Sequence, residues 1–560
     1  MNKKLSILIA LLLLVSVSLT GCGTPPPPET VIETVVVEKE VEKIVTEVVE
    51  VEKEVEKIVT EVVEVEKEVV VTEVVEVEKE VIVEVEPSRA GGELVVRTAE
   101  DMENFDTHTD QLQVFRSLIQ WTLFEPLVQY DENLNLNGVL AESWENPSPE
   151  VWRFHLREGV KFHDGSDFTA EDAKYSLDRV QDPETASWLI GNVSNMVKAE
   201  AVDDYTLDVT LDGPVASFLD KLTVIGMMPQ GSGDQQRRDP LGSGPFKFVE
   251  YSANEHVIVE KFEDYWQEGL PYLDKITFRP IPEAAVALAD LEAGDIDVAS
   301  TMSPNEAAAA IQIPGATLTV QPATTILSFF EVIRRDGPLS DPGVFGAMLK
   351  CLDREAVGKL VYQGYGTATN VPIPPGSAFF NDIPFEYDPE AGKAELEALG
   401  YQPGDIQLEI ISWGGYKSLE DMSVIWQQGL AECGVDVEVN VLEVQVMLDR
   451  YNRHDYDIAT NVYAPPPDPD VFYDIIWGPR QADDYTHHPE AADLVTAGRS
   501  TFDFDERKAA YDELQMLSAT DGPTVPVWFE AAMAAHKESV RDMAITPMME
   551  YFFHNTWVEQ

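Results

Sequence analysis

A mostly apolar run from Leu5 to Leu19, preceded by Lys3 and Lys4, opens the chain and ends in Leu19-Thr20-Gly21-Cys22. It is shorter than the roughly 20 residues a membrane helix needs, and its basic start and small-residue end predict a secretory signal over residues 1–21. A second pattern follows. Residues 37–50, VEKEVEKIVTEVVE, recur identically at 51–64, and 65–76 repeat them two residues short. Val37, Val41, Ile44, Val48, Val51, Val55, Ile58, Val62, Val65 and Val69 keep a strict 4-3 spacing, the seam of a left-handed coiled coil. Val is a mediocre helix former, and Glu40, Glu47, Glu54, Glu61 and Glu68 share one flanking position with no Lys to complement them. A repetitive spacer and a weak coiled coil both fit residues 31–86. As a helix the segment would reach roughly 80 Å.

Beyond the turn-rich Pro87-Ser88-Arg89-Ala90-Gly91-Gly92 the patterning becomes mixed. Alternation predicts strands at Glu93–Arg97, Trp152–Leu156, Val202–Leu211, Asp295–Val298, Ile406–Ile411 and Val435–Val441, with Lys161-Phe162 as a strand entering a His163-Asp164-Gly165 turn. Helical spacing covers Ala284–Glu292, Asp388–Leu399, Ser418–Cys433 and Asp505–Ala519. A further helix begins at Thr169, with a Thr cap and acids in its first turn, and runs through Val180. Trp152, Phe154 and Phe162 read as one core face rather than as ligand stackers. Gly242-Ser243-Gly244-Pro245 reads as a tight turn using positive φ. The mixture implies α/β lobes with α+β elements.

Composition narrows the class. The chain has 560 residues, 44% hydrophobic and 25% charged, enough for two or three well-buried domains. Its formal charge of −62 repels phosphate backbones, so nucleic acid is excluded as a partner. Residues 29–86 hold 20 Glu against 6 Lys, and most of the remaining negative charge falls after Pro87. Only Cys22, Cys351 and Cys433 occur. Cys351 and Cys433, in helix-like apolar surroundings, could pair or stay as buried thiols, and the surroundings favour thiols. There is no G-x-S-x-G, H-E-x-x-H, Walker-type or C-x-x-C motif, so no enzyme class, cofactor or metal is expected. His487-His488 reads as surface.

Leu19-Thr20-Gly21-Cys22 resembles a bacterial lipobox, which implies lipidation of Cys22 and a linker over 22–30 to the stalk. The globular blocks carry a second resemblance. Phe124-Glu125-Pro126-Leu127-Val128, Leu140-Ala141-Glu142-Ser143-Trp144 and residues 152–180 come first. Residues 241–251, Glu263-Asp264-Tyr265-Trp266 and residues 291–299 follow. Asp353-Arg354-Glu355, Asp388-Pro389-Glu390, residues 434–439, Asp468-Pro469-Asp470 and residues 525–529 complete the series. Together they resemble the family-5 solute-binding proteins of ABC importers, the peptide and nickel class.

That resemblance implies a two-lobed periplasmic-binding-protein clamp, not an enzyme. Lobe I would span 87–320, with an accessory domain at about 126–200, lobe II 321–524, and residues 525–560 would return to lobe I. Crossings are expected near Leu318–Pro322 and Thr524–Val527. The implied partners are an ABC permease with its ATPase, a small solute and, through lipid, the membrane on its extracytoplasmic side. Peptide is the family's default ligand; an oligosaccharide or other organic solute is the alternative, and an adhesin, sensor or extracellular hydrolase a remote one. Relatives place an amine-binding acid where Pro465 stands, a Trp at Val462 or Tyr463, an arginine at Phe345 and an asparagine at Glu331. Proline cannot carry charge. Trp413 and Tyr416, after the Ile406–Ile411 strand, are therefore candidate ligand contacts, facing Trp121 and Phe124, with Tyr463 and Asp468 next; Asp470 fits a helix cap equally well.

Overall fold

The computed structural model describes residues 89–334, 337–464, 466–477 and 488–559, within a compact unit from Ser88 to Gln560. The signal, Cys22 and the stalk, like Pro465 and His487, lie outside the described residues. No described helix is long and apolar enough to cross a membrane.

Two sheets form the centres of two lobes. The first has seven strands in the order Ala316–Gln321, Ala532–Lys537, Val298–Ala299, Glu93–Thr98, Lys275–Pro280, His256–Lys261 and Phe246–Ser252. Glu93–Thr98 runs parallel to both neighbours and turns Leu94 and Val96 into the core. The second has six: Thr367–Ala368, Thr524–Phe529, Leu327–Val332, Ile458–Tyr463, Gln407–Trp413 and Asp436–Leu442. Every residue of Leu327–Val332 is buried, as fits a central strand covered on both faces.

The lobes are joined by two adjacent crossings that hydrogen-bond to each other. Thr324 N donates to Glu530 O, and Glu530 N to Ile326 O, each at 2.9 Å. Both crossings fall a few residues later than expected. Ladder bonds hold Ala316–Gln321 in the first sheet to its last residue, and Thr524–Phe529 belongs to the second sheet. The chain therefore returns to lobe I at 530–531, not at 525.

A four-stranded sheet (Ala141–Ser148, Val151–Leu156, Thr206–Leu211, Met196–Asp203) with helix Ala170–Gln181 forms the accessory part, which runs past residue 200. Trp152, Phe154 and Phe162 lie in its core. The Asp172 carboxylate accepts from both Thr169 N and Thr169 Oγ1, closing the expected helix start.

Several local expectations need correction. The run Val202–Leu211 is not one strand: it breaks at Asp204-Tyr205 into a hairpin with Met196–Asp203. Lys161 makes only an isolated bridge to Asp167, and Asp295–Val298 shrinks to the two-residue strand Val298–Ala299. Trp413 ends the Gln407–Trp413 strand instead of following it. Gly242 and Gly244 do not have positive φ; a Cβ on Gly242 would sit 2.0 Å from Leu123 O, and one on Gly244 2.6 Å from Thr122 O. Close backbone approach, not handedness, demands these glycines.

Cys351 and Cys433 are joined in a disulfide rather than standing as separate thiols. The ends of helices Pro342–Leu349 and Lys417–Glu432 converge over Gly392, where a Cβ would press on both sulfurs. The apolar surroundings that suggested buried thiols are those of a buried pair.

Candidate functional site

Residues 112–124, LQVFRSLIQWTLF, are apolar or neutral except for Arg116. They fold as a π-helical turn, Phe115–Ile119, running into an α-helical turn, Gln120–Leu123. π-Turns are rare and cluster at functional sites. Phe115, Leu118 and Ile119 enter the first-lobe core, which leaves Gln113, Arg116 and Gln120 spaced along the other side.

Gln113 and Arg116 wall a cavity of about 680 Å³. Trp188 and Lys221 of the accessory part, Thr325 of the first crossing, and Tyr463 and Asp470 of lobe II also line it. Its walls thus come from both lobes and the hinge, the layout of a clamp.

The clamp is closed in this structure. Ser217 Oγ donates to Asp470 Oδ2 across the lobes at 2.6 Å, and Ala216 N donates to Arg499 O at 2.9 Å. The rings of Trp152 and Phe502 meet edge-on at 5.4 Å. Behind the seam Arg499 bridges Asp470 at 2.9 Å and Asp474 at 2.8 Å, while Arg507 holds Asp468 at 2.8 Å.

The seam concentrates acid. Burial, and then the Asp468 charge, push the Asp220 carboxyl well above the usual range. Burial also raises Asp468, with Arg507 opposing it. Asp220 Oδ1 accepts the Tyr130 hydroxyl at 2.7 Å. On the basic side, burial lowers both Arg116 and Lys221.

The six candidate contacts separate. Tyr463 ends its strand against Phe472 and lines the cavity. Asp468 is buried in the Arg507 pair, and its Oδ1 accepts from Asp470 N, so it supports the wall without lining it. Trp413 is half-buried in lobe II, donating its indole N–H to Thr460 O at 3.1 Å, and Tyr416 is exposed at the start of Lys417–Glu432; neither lines the cavity. Trp121 and Phe124 are buried in lobe I, Trp121 hydrogen-bonded to Glu550. Those two touch a different hollow of about 1000 Å³ within lobe I, and Trp121 also lines a small chamber beside Arg116 with Glu550. Trp121 and Phe124 therefore do not face Trp413 and Tyr416 across this cavity.

Phe345 and Glu331 are buried away from it, Phe345 with the Arg334 guanidinium 4.0 Å over its ring, Glu331 accepting the Tyr451 hydroxyl at 2.5 Å. His488 lies between Glu490 and Asp521, each at 2.9 Å. Sequence reasoning missed Arg116, Trp188, Asp220 and Lys221. For Arg116 a signal existed: a single cation inside a long uncharged stretch.

Comparison with known proteins agrees with this architecture. The family model "Bacterial extracellular solute-binding proteins, family 5 Middle" matches residues 135–484. The glutathione-binding protein GsiB of Salmonella typhimurium is 25% identical over 488 residues, covering 83% of this chain and 94% of that protein. The structure of DppA from Helicobacter pylori, an ABC transporter-associated periplasmic binding protein in complex with the peptide STSA, superposes with TM-score 0.65 at 25% identity. It covers 84% of this chain and 99% of that one. CtaP of Listeria monocytogenes shares the fold with TM-score 0.75 at 24% identity, over 84% of this chain and 100% of its own. A hinge of two adjacent chain crossings, a closed cleft between two α/β lobes and a family model spanning well over half the sequence lead to one statement: the chain belongs to the family-5 bacterial extracellular solute-binding proteins, the non-enzymatic substrate-binding components of ABC importers.

Proposed function

We propose that this protein captures a peptide-like solute between its lobes and delivers it to a permease while lipid on Cys22 holds it at the membrane. The observation that carries the reading is the cavity of about 680 Å³ walled by both lobes and the hinge. Its size suits a short peptide or a similar small solute. The relatives support the class, since GsiB is named for glutathione and DppA was crystallised with STSA. Trp413 and Tyr416, the aromatic pair that favoured an oligosaccharide, do not line this cavity.

Anchoring rests on Leu19-Thr20-Gly21-Cys22, and residues 31–86 would serve as a spacer giving a tethered receptor reach. We read residues 87–321 and 530–560 as lobe I, with the accessory part inside it, and 327–529 as lobe II.

Native mass spectrometry of the full chain, extracted from membranes in detergent without added ligand, tests this. A ladder of co-purified peptide masses, on a chain beginning at diacylated Cys22, is the expected result. A sugar adduct would overturn the peptide reading, and an unlipidated N-terminus the anchor.

A further inference from the structure

The hollow of about 1000 Å³ in lobe I stands apart from the interlobar cavity. The two share no wall residue, and among the described residues none from lobe II lines the hollow. Its wall draws on distant parts of the chain. Arg89, the hairpin Val128–Tyr130 with Leu136–Gly138, and the loop 265–272 form one part of it. The end of the edge strand Ala316–Gln321 and the C-terminal hairpin Ala544–Ile545 with Tyr551–Phe552 form the rest.

The charges of this wall are mostly engaged. Asp131 accepts from the Asn133 and Asn135 backbone N–H groups and from the Asn137 amide of its own turn. Glu125 accepts from Ser243, Tyr265 and Trp266. Asp542 accepts from Trp557 Nε1 at 2.9 Å and has the Arg89 guanidinium 3.6 Å away. Among the described residues Glu132 is the one acid of the wall whose carboxylate has no hydrogen bond or ion pair. One open carboxylate is too few for a divalent cation, and one paired arginine draws an anion poorly.

The groups left unmet are neutral. His554 lines the hollow half-buried, and burial lowers its pKa to about 4, so its imidazole is uncharged at physiological pH. Its partner among the described residues is the Phe552 ring at 5.7 Å, and neither imidazole nitrogen has a hydrogen bond there. The Tyr272 hydroxyl and the Gln267 and Asn555 amides of the same wall have no protein partner among the described residues either. A phenol, an amide and a neutral imidazole each carry both a donor and an acceptor. The Tyr272 and Phe552 rings are half-buried and add flat apolar area, whereas Trp121 and Phe124 are buried and form only the floor.

We propose that this hollow is a second binding site, for a neutral saccharide: ring C–H faces pack on Tyr272 and Phe552, while sugar hydroxyls bond to His554, Gln267 and Asn555. A hydroxyl both donates and accepts, so it satisfies an imidazole, a phenol or an amide in either sense; a carboxylate only accepts and an ammonium only donates. A free oligosaccharide and a stretch of surface glycan present the same chemistry. Glu132 and Asn555 are exposed, so the hollow is open to solvent and exchanges its sugar during purification. An adduct that survives extraction therefore still reports on the interlobar cavity.

The test titrates the full chain, in a detergent without sugar headgroups, with maltotetraose, cellotetraose and chitotetraose, binding being read by ligand-detected NMR. Wild type is expected to bind at least one of them at millimolar concentration. His554→Phe and Tyr272→Ala should each weaken that binding about fivefold or more, while Tyr463→Ala, in the interlobar cavity, leaves it unchanged. Asn555→Ala, at an exposed position, takes the place of a variant that does not fold. Co-sedimentation with insoluble cellulose or chitin separates the two sources: retention supports a glycan stretch, and binding of tetrasaccharide alone supports a free oligosaccharide. Failure of wild type to bind any of the three, which needs no variant to fold, overturns the inference. So does binding lost in Tyr463→Ala but kept in His554→Phe, which puts the sugar between the lobes. Tighter binding of spermidine or tetraalanine than of any sugar, weakened by His554→Phe, overturns the saccharide class.

Discussion

Asp468 and Tyr463 stand five residues apart and carry different loads. Asp468 and Arg507 are a buried pair, each less than a tenth exposed. Asp468→Ala would strand the guanidinium, and removing one partner of such a pair costs about 3–5 kcal/mol. The expected outcome is a large drop in urea midpoint for Asp468→Ala. Tyr463 lines the cavity and is half-buried, with its ring against Phe472. Tyr463→Ala should leave the midpoint nearly unchanged and weaken retention of the co-purified solute by about 1–2 kcal/mol, read by competition. The reverse assignment of effects would move Tyr463 into the core and Asp468 into the site. These two were named together from sequence because both are polar residues around the D-P-D block. Only the positions of Arg507, 39 residues on, and of the opposite lobe separate them.

Elements were the most legible part of this chain, and their ends the least. Helices Ala170–Gln181, Pro389–Ala398, Lys417–Glu432 and Phe504–Asp521 follow their caps and apolar spacing closely, because capping and periodicity are local. The hairpin at Asp204-Tyr205 was missed although the acid pair Asp203-Asp204 sets Tyr205 three positions after Val202 and so shifts the phase of the alternation at the turn. Gly242 is the sharper case. Its need is set by Leu123, more than a hundred residues away. Gly242→Ala is expected to destabilise the folded chain by about 1–3 kcal/mol, seen as a lower melting temperature, since a Cβ there meets a carbonyl that cannot retreat. The Cys351–Cys433 link closes a loop with a sequence separation of 82. The double variant Cys351→Ser with Cys433→Ser should lose about 2–4 kcal/mol, and thiol titration of the unfolded, unreduced wild type should find neither cysteine free.

For the whole molecule, closure and proton uptake are linked. Asp220 belongs to lobe I and faces Tyr130 and Lys221 on its own side and the Asp468–Arg507 pair and Asp470 on the other. In the closed cleft burial and the Asp468 charge raise it well above the ordinary carboxylate value of about 3.9; water in an open cleft would return it there. The closed state thus binds more protons between those two values. Closure is favoured below the closed-state value and weakens as pH rises through it. Small-angle scattering of the ligand-free chain should show the open fraction growing with pH, and Asp220→Asn should remove that trend. The receptor class, the two α/β lobes, the extreme acidity and the order of the signature blocks were all present in the sequence, because hydrophobic period, caps and motif order are properties of neighbouring residues. The cavity was not. Its walls come from residues 113–116, 188–224, 325–326, 463–464, 466–475, 499 and 548–549, and which of their side chains meet depends on how the chain crosses twice between lobes and how far the lobes close. Charge balance at one wall of a chain this acidic is a property of that packing, and no linear reading of 101 acids could have located it.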